Sequence, residues 1–379
     1  MQMLIYPYGQ DCEPIIRHSG LLDSNYKIAA LASPGGWGQA GKYVTIRNSG
    51  VSLSVHESLK KVTEKFDSLL IPSFKAEESI ENLLVDQIVK LIPRLTHVFC
   101  VANLTDANQI KLRNACSQIS PSCVFEYYPE YTQPSTYNLK TPAEKYPSIS
   151  PLDVPIVIVA GLWENTDKFE VSLSLREQLI SAGYRVTQIG SRVGCEMLGF
   201  HSFPGFMFRK DVDAADKVIY FNRWIIQIAK MEQPDLVLLT IPGAMQDLNE
   251  KFTRGFGLLH HQVFKAAVPD VLVMCTFFDY DPSEFLKEIS KSCCYRFGAP
   301  VDLFHISNLF IDITTSEEFN RVVTNSIYRE TVSEMLSKMS ETSPIPMFDA
   351  LDQKDNDRMF DMIINKLTPK DIIAVMKVF

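Results

Sequence analysis

Apolar residues along this chain fall into short runs separated by polar stretches with helical spacing, and the order repeats. In the first third, six runs read as strands, at 3–6, 28–32, 43–46, 68–71, 97–102 and 123–127. Between them, Ile80, Leu83, Leu84, Ile88 and Leu91 recur at the spacing of one helical face and predict a buried stripe. Asp106 with Gln109 three residues on has the form of a capping box opening the next helix. Strands alternating with helices predict a mostly parallel sheet covered on both faces.

The pattern breaks over 131–155, where Pro134, Pro142, Pro147, Pro151 and Pro155 punctuate a polar run, which predicts a linker. It resumes at 156–160, a continuous apolar run suited to the centre of a parallel sheet. A helix is predicted over 169–182 with Gly183 closing it, then a strand over 184–189. Further strands are expected at 236–241, 271–276 and 301–306, and further helices at 217–231, 258–267, 282–291 and 317–339. Beyond a proline-containing break at 340–346, Met359, Phe360, Ile363, Ile364 and Leu367 mark an amphipathic helix, suited to packing back on a domain or to meeting a partner. The expected division is 1–130, a linker over 131–155, a second domain over 156–339 and a helical tail over 340–379.

Length and composition narrow this picture. The 379 residues suit two domains at roughly 100–200 residues each. Apolar residues make up 46% and charged residues 22%, which argues against global disorder. The net charge of −8 argues against nucleic acid as a partner, because sequence-independent binding needs a basic face. Eight cysteines include no C-x-x-C pair, and Cys100 and Cys275 lie inside apolar runs, so reduced structural thiols are expected. The first residues lack a basic segment followed by an apolar one, and no apolar stretch approaches ~18 residues. These features predict a cytoplasmic protein with no membrane span.

The chemistry concentrates at Gly161-Leu162-Trp163-Glu164-Asn165-Thr166-Asp167-Lys168-Phe169, directly after a predicted buried strand and before a predicted helix. That is where backbone N–H groups and the helix dipole converge on an anion. A working phosphate-binding loop needs Gly before its Lys, so that the backbone can curl, and Ser or Thr after it to hold magnesium. Asp167 and Phe169 stand at those two positions, and Asp167 is expected to repel phosphate. Two readings stay open. Gly161, Asn165, Thr166, Lys168 and Arg192 hold ATP or another phosphate ligand, or the loop is a relic with a different ligand or none. In the second case, Glu164 and Asp167 are placed to pair with Lys168 and fill the empty phosphate site.

Gly161 and Lys168 enclose six residues, one more than the commonest such loop. This loop, with Val171 to Leu175 and Gly183-Tyr184-Arg185-Val186, resembles the dethiobiotin-synthetase-like branch of P-loop proteins. The resemblance implies a P-loop-NTPase-like three-layer α/β second domain, and the strand–helix alternation of the first third predicts a Rossmann-like domain before it. It also implies substrate contact at Ile189-Gly190-Ser191-Arg192-Val193-Gly194 and a switch loop at Pro242-Gly243. The acidic residue expected before that switch loop is Thr240, so a second magnesium ligand is missing. Gly36-Trp37-Gly38-Gln39-Ala40-Gly41-Lys42-Tyr43 also fits a phosphate-loop pattern, but the strand predicted from Tyr43 leaves no helix N-terminus facing it.

Other residues offer weaker signals. The aromatic segment 199–208 contains Phe200, His201, Phe203 and Phe206, which reads either as a loop tucked on the core or as a surface contacting a peptide or substrate. His260 and His261 are neighbours on a predicted helix, point about 100° apart and so cannot share one metal. Asp279 and Asp281 follow a strand end, either solvated or holding a cation or ribose.

Together, Gly161 to Phe169, Gly183 to Gly190 and Phe200 to Met207 resemble a clostridial family of peptide maturation system proteins. That resemblance implies a setting beside radical SAM enzymes and cysteine-rich precursor peptides, not a chemical step. Three functions are compatible with the residues. One is a nucleotide-dependent maturation factor. The second is a pseudo-NTPase scaffold that binds a precursor peptide or modifying enzyme. The third is a small-molecule ligase or kinase-like enzyme.

Overall fold

The alternation of strands and helices is realised as two α/β units in the computed structural model, which describes residues 1–47, 49–128, 148–340 and 343–368. One unit comprises Met1–Ser135 with Val193–Phe208, and the other Thr136–Arg192 with Arg209–Phe379. The aromatic segment therefore belongs with the first unit, although its sequence position had placed it in the second domain. Of the proline-punctuated linker, 131–147 lies outside the described residues. At 150 the chain is already anchored: the Asn222 carboxamide accepts from Ser150 N at 2.9 Å and donates to Ser150 O at 2.8 Å.

The first unit is Rossmann-like. Its strands are β1 (Gln2–Ile5), β2 (Lys27–Ala32), β3 (Tyr43–Thr45), β4 (Ser52–His56), β5 (Ser68–Ile71), β6 (His97–Cys100) and β7 (Val124–Tyr127), in the order β3-β4-β2-β1-β5-β6-β7. Every pairing is parallel except β3 with β4. β4 was absent from the sequence reading, because Ser52-Leu53-Ser54-Val55-His56 offers only two apolar residues. The helices are α1 (Glu13–Arg17), α2 (Glu78–Val89) and α3 (Asp106–Ile119). On α2 the buried face is Glu81, Leu84, Val85 and Ile88, whereas Ile80 and Leu83 are exposed. The expected stripe was therefore rotated, because Glu81 is drawn inward. Its Oε1 accepts from Thr105 N, Thr105 Oγ1 and Asn108 Nδ2 at 2.7–2.9 Å. This carboxylate supplies the start of α3 with a partner, and the Asp106–Gln109 capping box does not form. Thr105 is the cap residue, and Gln109 donates to Leu104 O instead.

The second unit is the P-loop-NTPase-like three-layer domain. Its chain adds β8 (Ile156–Gly161), α4 (Lys168–Ser181), β9 (Val186–Gly190) and, after the excursion that carries a short β10 (His201–Ser202), α5 (Ala214–Glu232) and β11 (Leu236–Thr240). Then follow α6 (Leu258–Ala266), β12 (Val271–Thr276), α7 (Ser283–Phe297) and β13 (Leu303–Ile306). The helix expected over 317–339 is broken into a hairpin of β14 (Leu309–Ile311) and β15 (Thr324–Ser326) around α8 (Ile313–Glu318), followed by α9 (Arg329–Met339). Asn320 turns left-handed at φ 51°, and β-branched Val322, Val323 and Thr324 follow it into extended chain. The expected helical tail contains a strand as well, β16 (Met347–Phe348), before α10 (Gln353–Leu367). Residues 369–379 lie outside the described residues.

The parallel strands of this unit run β9-β11-β8-β12-β13-β16. β8 is buried at every position, as its unbroken apolar run requires. On one face, Val157, Val159, Leu238 and Val273 pack beneath Val171, Leu175 and Leu179 of α4 and Met359 and Ile363 of α10. The chain leaves β8 through α4 towards β9 on one side, and leaves β12 through α7 towards β13 on the other. The neighbours β8 and β12 thus form a topological switch point, and the crevice beyond their carboxyl ends is where open α/β sheets bind ligands.

Candidate functional site

Loop 162–167 occupies that crevice, fixed by close backbone packing. Leu162 N donates to Cys275 O across the switch point at 2.8 Å. A side chain at Gly161 would meet Trp163 O at 2.5 Å, Thr166 Oγ1 at 2.8 Å and Lys168 Nζ at 3.1 Å. Gly161 is therefore required for space. Thr166 and Lys168 are brought to the same point, but neither is turned outward. Thr166 Oγ1 donates to Trp163 O at 3.1 Å. Asn165 is exposed at the loop tip with φ 59°.

Asp167 adopts φ 59°, the left-handed conformation that a glycine ordinarily supplies here. The curl of the backbone is retained, because Asp is among the few residues that visit this region. Its carboxylate is engaged by groups outside the loop. It accepts from Ser307 Oγ at 2.5 Å, and His305 Nε2 stands 3.5 Å away. His305 Nδ1 accepts from Ala350 N, so the ring proton lies on Nε2, which is near the carboxylate but makes no hydrogen bond to it. Burial by itself raises the Asp167 pKa, but His305, Ser307 and the Arg329 charge outweigh it and hold the group below its ordinary value. Glu164 is likewise engaged elsewhere, with Arg254 Nη1 at 3.3 Å. The ion pair expected between these carboxylates and Lys168 is not present.

Lys168 is buried, and its Nζ donates to Gly243 O at 2.7 Å. Gly243 lies in the loop after β11, the segment expected to be a switch loop. Burial pushes the Lys168 amine down to about 8. Cys275 and Glu164 pull it up, and the Arg192 charge pushes it further down. Arg192 is positioned by stacking: its guanidinium carbon lies 4.4 Å from the centroid of the Phe169 ring. Phe169 thus offers a flat apolar face where a hydroxyl would bind magnesium. Thr240, at the second magnesium-ligand position, is fully buried, with no partner for Oγ1 among the described residues.

Two features of the site take their form only in the fold. His260 is fully buried, and neither ring nitrogen has a hydrogen-bond partner among the described residues. Burial, then the nearby Lys168 charge, pushes its pKa down to about 3, so the ring is neutral. His261 points to the exposed side and lies 6.0 Å from the Phe297 ring. Trp163 stacks nearly parallel with Phe277 at 5.7 Å and with Phe285 at 6.0 Å. The hints in the sequence were the His260–His261 pair on a predicted helix and the position of Trp163 inside the loop.

The remaining expected residues lie elsewhere. Phe200, Phe203 and Phe206 are buried, as a loop tucked on the core requires, and His201 is half-buried. Asp279 and Asp281 are exposed, and Asp281 N donates to Asp279 Oδ1. The 36–42 segment leads into β3, not a helix, and Lys42 Nζ donates to Gln39 Oε1. No cluster of metal-ligating side chains occurs among the described residues. No described helix is long and apolar enough to cross a membrane. The described cysteines are free thiols, all buried except Cys294.

Comparison with solved structures supports the fold. A DUF1611 family protein from Anabaena variabilis superposes with a TM-score of 0.61 at 12% identity, over 96% of this chain and 99% of that one. Partial likenesses are found to Cyanthece apo McdA, with a TM-score of 0.33, 12% identity, 57% of this chain and 100% of that one. A GTPase from Pyrococcus abyssi in apo form gives 0.30, 13% identity, 57% of this chain and 98% of that one. No protein-family model and no curated protein matches the sequence. At these identities the likeness speaks for the fold alone.

Proposed function

We propose that this chain is a pseudo-NTPase scaffold: a P-loop-like module that binds a phosphate-bearing ligand without magnesium-dependent hydrolysis. The observation that carries the reading is the state of Lys168. Its amine is retained at the loop, yet it is bonded to Gly243 O, with Phe169 and Thr240 at both positions that would hold magnesium. An anion remains chemically suited to the site, because the start of a long helix, a buried amine and Arg192 face one crevice. We further propose the setting that the sequence resemblance implies, an accessory role in maturation of a ribosomally made bacterial peptide. The net charge of −8 suits a basic precursor peptide or a modifying enzyme as partner.

Calorimetric titration with ATP and GTP, with and without magnesium, tests the ligand reading against Lys168→Ala. Binding that is insensitive to magnesium and lost in the variant is the expected result. Absence of heat at millimolar nucleotide would sink the reading, and steady release of phosphate would replace it with a hydrolase. Retention of a precursor peptide encoded beside this chain tests the setting; failure to retain it or a neighbouring enzyme removes that part.

A further inference from the structure

The segment after β11 meets the loop at its start, at Glu164 and at Lys168. Met245 N donates to Gly161 O at 2.9 Å, and Gln246 N lies 3.4 Å from Leu162 O. Gly243 O holds the Lys168 amine at 2.7 Å. Arg254 reaches over to Glu164 in the loop at 3.3 Å. Gly257 lies so close to Met245 that a side chain there would meet the Met245 carbonyl oxygen at 1.9 Å.

The same segment is strained. Arg254, Gly255, Phe256 and Gly257 are consecutive left-handed residues with φ of 44°, 74°, 55° and 69°. Two of the four carry side chains, for which this conformation is unfavourable. Burial does not compensate at Phe256, a residue that is 60% exposed. Just beyond lies His260, buried beside Lys168 with both ring nitrogens unpartnered. The left-handed backbone at Arg254 and Phe256 is a cost of the closed arrangement that opening would relieve.

We infer that residues 243–257 form a strap that closes over Lys168 and must lift to release the amine before a phosphate group can take the place of the Gly243 carbonyl. This deepens the phosphate-ligand reading proposed above and rests on it for the identity of the ligand. In the closed state the carbonyl oxygen of Gly243 stands in for a phosphate oxygen. Ligand affinity is then set by the open fraction as well as by contacts, since a state that is only partly populated lowers the apparent affinity by that fraction.

Two exposed substitutions bias the strap in opposite directions. Phe256→Gly removes left-handed strain from the closed form and should lock it, weakening ATP binding about three- to fivefold. Arg254→Ala removes the half-exposed tie to Glu164 and should tighten ATP binding by roughly twofold. The sign of the second is diagnostic, because deleting a cation beside an anion site would otherwise weaken binding. Both variants are measured against wild type by calorimetry with magnesium-free ATP, and by hydrogen exchange at the Met245 and Gln246 amides. Exchange should slow in Phe256→Gly and quicken in Arg254→Ala, with affinity following it. Exchange unchanged in both variants, or weaker ATP binding by Arg254→Ala, would overturn the strap. Exchange that responds as expected while no variant binds ATP supports the strap and overturns only the phosphate-ligand reading.

Discussion

At the scale of single residues, the site is organised by what its two charged groups touch. Asp167 replaces a glycine without loss of the backbone curl, because Asp tolerates the left-handed region, and Ser307 Oγ donates to its carboxylate. Lys168 keeps the position of a phosphate-binding lysine but is desolvated, and its pKa falls from 10.5 to about 8. The sign of the resulting pH dependence follows from proton counting. Between about pH 8 and 10.5 the unfolded chain binds more protons at this group than the folded one, so stability contributed by Lys168 rises with pH across that window. Below about 8 the cost of burying the ammonium is fully present. Lys168→Met should therefore stabilise the fold at pH 7, by roughly 1–3 kcal/mol after allowance for the lost Gly243 hydrogen bond. The gain should shrink towards pH 10.5, as measured by urea denaturation across that range. A variant less stable than wild type at pH 7 would show that the Gly243 contact outweighs desolvation.

At the scale of elements, α10 is a structural layer of the second unit. Its apolar stripe was readable from Met359, Phe360, Ile363, Ile364 and Leu367, but two outcomes were open, packing back or meeting a partner. Met359 and Ile363 are buried in the same cluster as Val171, Leu175 and Leu179 of α4, beneath β8, β11 and β12. α10 thus braces the helix that begins at Lys168. Met359→Ala should cost about 2–5 kcal/mol, as for other large-to-small changes in a core. Exposed Met362→Ala on the same helix should stay within about 0.5 kcal/mol. Thermal unfolding of the two variants checks the contrast, and equal costs would place α10 off the core.

At the scale of the whole molecule, the chain enters the second unit, returns to the first for Val193–Phe208, and leaves again. The first unit is therefore not a contiguous stretch. Gly194 packs on Val101, where an added Cβ would meet Cγ2 at 2.9 Å. A fragment of residues 1–150 lacks this segment and should expose the Val101 surface. We expect it to bind an apolar fluorescent dye more strongly, and to unfold at a lower temperature, than the intact chain. A fragment as stable as the first transition of the intact protein would show the segment to be dispensable. Much of this organisation was written in the sequence. The strands at 68–71 and 271–276, the start and end of α4, and the order of strand, loop and helix follow from local periodicity and from Gly161 and Gly183. Those signals act over a few residues, which is why the fold class was legible. The pairings that define the site join positions far apart in the chain: Asp167 with Ser307, Lys168 with Gly243, Glu164 with Arg254. No periodicity encodes such contacts, because they depend on which strand ends the topology sets side by side. The sequence by itself determined that a buried strand would deliver a lysine to the start of a helix. Only the tertiary structure decided that this lysine is buried and bonded to a carbonyl, because desolvation and hydrogen-bond partners are properties of the packed crevice and not of the loop alone.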